Sequence, residues 1–140
     1  MEKQPNILII DAQGGGIGRL LASAVRQELP EASITAVGGN SAATAAMLKA
    51  GADRGATGEN AAVVACRVAD VILGPIGIVI ADAMLGEITP KMAAAVAQSG
   101  AKRVLIPFDH CDNIVVGLRD AGMKALVQEA VAVLLKLMNP

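Results

Sequence analysis

The chain has no tryptophan and no tyrosine, and Phe108 is its only large aromatic side chain. Proteins that hold single-stranded nucleic acid stack bases on such rings, so that class is disfavoured, and a flavin would lack its usual stacking partners. Charge of one sign is also missing: 12 basic and 13 acidic residues give a formal net charge of −1. No basic field draws in nucleic acid or an anionic membrane surface. Cysteine is scarce, with Cys66 and Cys111 far apart and outside any Cys-x-x-Cys spacing, so neither a zinc clip nor a disulfide framework is argued. Long hydrophobic runs are absent too. The longest, Val71–Ala81, is broken by Gly74, Pro75 and Gly77, and it reaches only about half of the roughly 20 residues that a spanning helix needs. The polar start Met1-Glu2-Lys3-Gln4-Pro5 does not read as a signal peptide. The expectation is a cytoplasmic protein with reduced thiols, no metal site, no nucleic-acid partner and no membrane partner.

What the chain does have is apolar mass and glycine. Hydrophobic residues make up 54% of 140 residues and glycine supplies 15. That length suits one domain over residues 1–140 and is too short for two full dinucleotide-binding halves plus a substrate domain. Strand-like runs recur at Ile7–Asp11, Ser33–Gly38, Asp70–Leu73, Arg103–Pro107 and Ile114–Gly117, with helical patterns between most of them. This alternation predicts a Rossmann-like α/β fold of three layers around a mostly parallel sheet of about five strands. The expected helices are Gly16–Leu29, Ser41–Ala50, Glu59–Arg67, a helix opening at Thr89-Pro90 and reaching Gln98, and Gly122–Met138. Thr89 suits an N-cap and Pro90 the first helical position. Only Phe108-Asp109-His110-Cys111-Asp112 separates the last two strand-like runs, too short for a parallel crossover. The fifth strand is therefore expected as an antiparallel edge. The last helix has an apolar arc wider than one sheet face needs, and mean hydropathy is +0.53. Part of that helix is expected to pack against a second copy, making a homo-oligomer; the alternative is a helix buried deeply within one chain.

The most informative segment is Asn6–Leu21, where an apolar β-branched run meets Gly14-Gly15-Gly16-Ile17-Gly18 and then a helical pattern. Glycines in such a turn let backbone approach an anion, and the first free N–H groups of the helix point at it. A phosphate-containing small molecule is the natural guest, with NAD(P) or another nucleotide as candidate cofactors; the competing reading is a glycine turn that only packs helix on strand. Asp11, at the carboxyl end of the first strand, faces a Mg²⁺-bridged phosphate, a ligand hydroxyl or amine, or the N–H groups of the turn itself. A parallel sheet brings later loops to the same edge. The candidate ligand set is therefore Asp11, Gln13, Gly14, Gly15, Gly16, Ile17, Gly18, Gly39, Asn40, Gly74, Pro75, Ile76 and Gly77. His110 and Asp11 are the candidates for acid–base chemistry, and Cys111, flanked by acids, is a poor nucleophile.

The spacing Ala12-x-x-x-Gly16-x-Gly18 resembles the turn of short-chain dehydrogenases, with Ala12 in the place of the first glycine. The second strand-like run ends Val37-Gly38-Gly39-Asn40-Ser41, without a carboxylate for a ribose hydroxyl, and the catalytic tyrosine of those enzymes has no counterpart in this chain. Hydride transfer of that type is not expected, nor is a P-loop NTPase. A wider resemblance rests on the Asp11–Gly18 turn, on Ala46–Asp53 with Gly55–Ala61, and on Gly74–Ile78 with Met84–Pro90. In order along the chain these blocks resemble a family of small uncharacterised bacterial Rossmann-like proteins, a domain of unknown function. The resemblance implies the fold and carries no catalytic residues with it.

Overall fold

The computed structural model describes residues 4–107 and 113–139. Among these, five strands form one sheet in the order β3-β2-β1-β4-β5, and every neighbouring pair is parallel. The strands are β1 (Asn6–Asp11), β2 (Ser33–Gly38), β3 (Arg54–Thr57), β4 (Val71–Pro75) and β5 (Lys102–Ile106). The helices are α1 (Gly16–Glu28), α2 (Ser41–Ala50), α3 (Glu59–Val68), α4 (Pro90–Gln98) and α5 (Met123–Met138), with a short 3₁₀ turn at Ile76–Val79.

Three layers follow from the two-residue period of β1. Ile7 and Ile9 point into one apolar cluster with Leu21 and Val25 of α1, Met47 of α2 and Val131 and Leu134 of α5. Leu8 and Ile10 point into the other, with Ala62 and Cys66 of α3 and Met92 and Val96 of α4. A strand buried on both faces reads as an unbroken apolar run, which is what Ile7-Leu8-Ile9-Ile10 shows.

The expected antiparallel edge strand is not present: Ile114–Gly117 lies outside every strand, and Ile114 and Val116 are exposed. Its β-branched residues fit a pleated surface only where a neighbouring layer covers them, and Ile114 and Val116 stay exposed while Val115 is half-buried. The fifth strand is β3 instead. Arg54-Gly55-Ala56-Thr57 is exposed at every position, so burial leaves no apolar signature on it. Its register, from Thr35↔Arg54 to Gly38↔Thr57, is held by β2.

Most of the wide apolar arc of α5 packs on its own chain. Val127, Ala130, Val131 and Leu134 are buried, and Met123, Leu126, Leu135, Leu137 and Met138 pack against the same cluster. Val133 stays half exposed.

Candidate functional site

In the order β3-β2-β1-β4-β5 the chain first builds outward from β1 on one side and then returns to place β4 on the other. The direction reverses between β1 and β4, and open α/β sheets bind ligands at the carboxyl ends of the strands flanking such a reversal. The glycine turn after β1 lies on that edge.

Residues 12–15 make a tight turn closed by the Gly15 N–H donating to the Ala12 carbonyl at 3.0 Å. Gly15 is the N-cap of α1 in a left-handed conformation, φ 71°, and a Cβ there would crowd the backbone of Ala43 at 3.0 Å. Gly18 is needed for another reason: its Cβ would lie 2.6 Å from Met47 Sδ and 2.8 Å from the Asp11 Cβ, where α1, α2 and β1 meet. These two glycines serve packing. At Gly14 and Gly16 an added Cβ would meet nothing within 4 Å, and neither residue is left-handed. Both are exposed, and among the described residues no acceptor is placed on their N–H groups.

Asp11 is turned into the turn. It is buried; Oδ1 accepts the Ala12 N–H at 2.8 Å and Oδ2 the Gly18 N–H at 2.7 Å. Of the roles open to it from sequence, this geometry is the internal cap: with glycine at the N-cap, a strand carboxylate does the work of a capping side chain for α1. Burial pushes its carboxyl pKa above the ordinary 3.8, the backbone N–H groups pull it back, and the charge of Glu87 raises it again.

Glu87 is the residue that sequence reading missed. It stands after β4, across the reversal point, and its Oε2 accepts the Gln13 N–H at 2.7 Å. Its two oxygens also accept Asn40 Nδ2 at 3.1 and 3.0 Å. Asn40 is the N-cap of α2: Oδ1 accepts the Ala43 N–H at 2.9 Å, while Nδ2 also donates to the Gln13 carbonyl at 2.8 Å. Gln13 is held at φ 52°. Gly39 donates its N–H to the Asp11 carbonyl at 2.9 Å, and a Cβ on it would sit 2.8 Å from Glu87 Oε2. The sequence signals at Glu87 are its place inside the Met84–Pro90 block and two residues before the Thr89-Pro90 helix start.

The structure thus joins Asp11, Gln13, Gly39 and Asn40 to the glycine turn. Gly74–Gly77 is a different matter. Gly74, Pro75 and Gly77 are buried, and a Cβ on Gly74 would overlap the Ile10 carbonyl oxygen, so that glycine lets β4 lie against β1. Ile76 opens the 3₁₀ turn. Cys66 is buried and its thiol is pushed up to about 11, which keeps it out of nucleophilic chemistry at neutral pH. The readings of His110 and Cys111 fall on residues outside the described ones. Among the described residues no three His, Cys, Asp or Glu side chains form a metal cluster, and no helix is long and apolar enough to cross a membrane.

Sheet order and glycine turn define the class: a small Rossmann-like α/β protein with its first βα turn at the reversal point. The chain belongs to the family described as Domain of unknown function (DUF3842), whose model matches residues 6–139. This agrees with the blocks Asp11–Gly18 and Met84–Pro90 singled out in the sequence. No curated protein matches the chain. Among solved structures, it is similar to the crystal structure of a dodecameric FMN-dependent UbiX-like decarboxylase from Escherichia coli O157:H7. The identity is 20% and the TM-score 0.47, over 94% of this chain and 75% of that one.

Proposed function

We propose that this protein binds a small molecule through a phosphate group at Gly14–Gly18, with Gln13 and Asn40 beside it. The observation that carries this reading is the bareness of Gly14 and Gly16, which neither packing nor backbone conformation demands. An open glycine surface at the start of a helix is what close approach of an anion needs, since it leaves N–H groups free and excludes side-chain bulk. Asp11 supports the site from below by fixing the turn. A nucleotide or another phosphorylated metabolite fits this chemistry.

The test is calorimetric melting, because tryptophan fluorescence is not an option, against NAD, NADP, ATP, GTP, S-adenosylmethionine and pyrophosphate, with and without Mg²⁺. A ligand at about 100 times its Kd adds roughly 2.7 kcal/mol, a rise of several degrees for a domain of this size. Gly16→Asp places a negative charge where helices accept one, so it keeps the fold and abolishes the shift. No shift with any compound rejects the reading.

A second reading is a non-catalytic homo-oligomeric module, and exposed apolar residues favour it: Ile114, Val116 and Val133 stand uncovered on one chain. A monomer by light scattering at micromolar concentration rejects it.

A further inference from the structure

We propose that Glu87 is an internal placeholder for the ligand: its carboxylate occupies the donors that an incoming phosphate-class oxyanion takes over, so the free protein is held in a self-inhibited state. This rests on the reading of Gly14–Gly18 as a binding turn. A carboxylate that accepts one backbone N–H and one side-chain amide makes the contacts an oxyanion makes. Glu87 makes them with the Gln13 N–H and Asn40 Nδ2, reaching across the reversal point from a loop 74 residues further along the chain. Space is reserved for it, since a Cβ on Gly39 would collide with Oε2 at 2.8 Å.

The way it opens follows from what anchors its loop. Ala83, Met84 and Ile88 are buried in the cluster that holds Ile10, Ile78 and Met92. Within the loop the Asp82 N–H donates to the Ile88 carbonyl at 2.7 Å, and the Ile88 N–H donates to the Ala83 carbonyl at 3.2 Å. Swinging the whole segment would strip these side chains from the core. Release is therefore a rotation of the Glu87 side chain alone, from the turn into solvent, with the loop backbone in place. Asp82, Met84 and Leu85 are all left-handed, φ 67°, 57° and 58°, a backbone course that sets Glu87 against the turn while Ala83, Met84 and Ile88 stay buried and Leu85 is left exposed. Like charge then makes the exchange mutually exclusive: a bound oxyanion and the Glu87 carboxylate cannot share the Gln13 N–H.

The experiment is titration calorimetry with pyrophosphate on the wild type, Glu87→Gln and Glu87→Ala, together with amide hydrogen exchange of the free proteins. Removing the placeholder tightens pyrophosphate at least tenfold in Glu87→Ala, less in Glu87→Gln, and adding Gly16→Asp abolishes binding in each. Without ligand, the Gln13 amide exchanges at least tenfold faster in Glu87→Ala while amides of the central strands do not change. Equal affinities for wild type and Glu87→Ala, or an unchanged Gln13 amide, overturn the placeholder and leave the binding turn standing. Absence of pyrophosphate binding in all three proteins overturns the binding turn and the placeholder together.

Discussion

Two glycine-bearing segments flank the reversal point of the sheet, one after β1 and one at the end of β4, and they have opposite uses. At β4, Gly74 is enclosed: a Cβ would overlap the carbonyl of Ile10, and the residue is a spacer between neighbouring strands. After β1, Gly14 and Gly16 face open space, and the spacers are Gly15 and Gly18 beside them. Composition alone does not tell a glycine that lets protein approach protein from one that lets a ligand approach protein. What an added methyl would touch does.

The largest effect tests the enclosed side. Gly74→Ala forces a methyl against the Ile10 backbone carbonyl of the neighbouring strand β1, and backbone does not move aside as a side chain can. Overpacking of this kind costs about 1–3 kcal/mol, and a backbone obstacle places Gly74→Ala at the upper end, about 3 kcal/mol by urea denaturation. A variant as stable as the wild type would break the comparison, because Gly74 would then be as free as Gly16.

Next is Asp11, which ties the open side to the strand. Asp11→Ala orphans the N–H groups of Ala12 and Gly18, at a cost of about 1–3 kcal/mol. The pH dependence has a definite sign. Burial raises the folded pKa of Asp11 above 3.8, so the folded state takes up this proton before the unfolded state does. The group's contribution to stability is then greatest in acid and declines as pH rises from 3.8 through the folded value. The stability of the wild type minus that of Asp11→Asn should therefore increase as pH is lowered from 7 toward 4. A constant difference would mean that the N–H bonds offset burial, and a difference that shrinks toward acid would mean that they outweigh it.

Much of this was legible in the sequence, for reasons that differ by element. Local chemistry declared the start of α4, where Thr89 accepts the Met92 N–H at 3.2 Å and Pro90 takes the first position, whereas Asn40, read only as a ligand candidate, proves to cap α2 as well. Burial on both faces declared β1, β2 and β4. The edge strand β3 was hidden because its four residues all stay exposed and carry no apolar pattern. Ile114–Gly117 misled for the converse reason, having strand-forming residues of which Ile114 and Val116 stay exposed. At the site, Asp11 and the glycines were visible because strand, turn and helix are contiguous. Glu87 was not, since its partners Gln13 and Asn40 are distant in the chain and only the folded sheet brings them together.

The smallest effect is the most discriminating. Gly14→Ala and Gly16→Ala add a methyl where nothing lies within 4 Å, at residues whose φ an alanine adopts freely. The unfolded chain loses conformational freedom while the folded state loses nothing, so each variant should melt at or slightly above the wild-type temperature, a change of about 0.4–1 kcal/mol at most. Calorimetry with pyrophosphate supplies the other half, since the same methyl stands where the ligand's oxygens come closest and should weaken binding. Unchanged stability with weakened binding is the mark of a glycine kept for a guest. Loss of more than about 1 kcal/mol would place Gly14 and Gly16 with Gly74, and the turn would be a packing device on both sides of the reversal point.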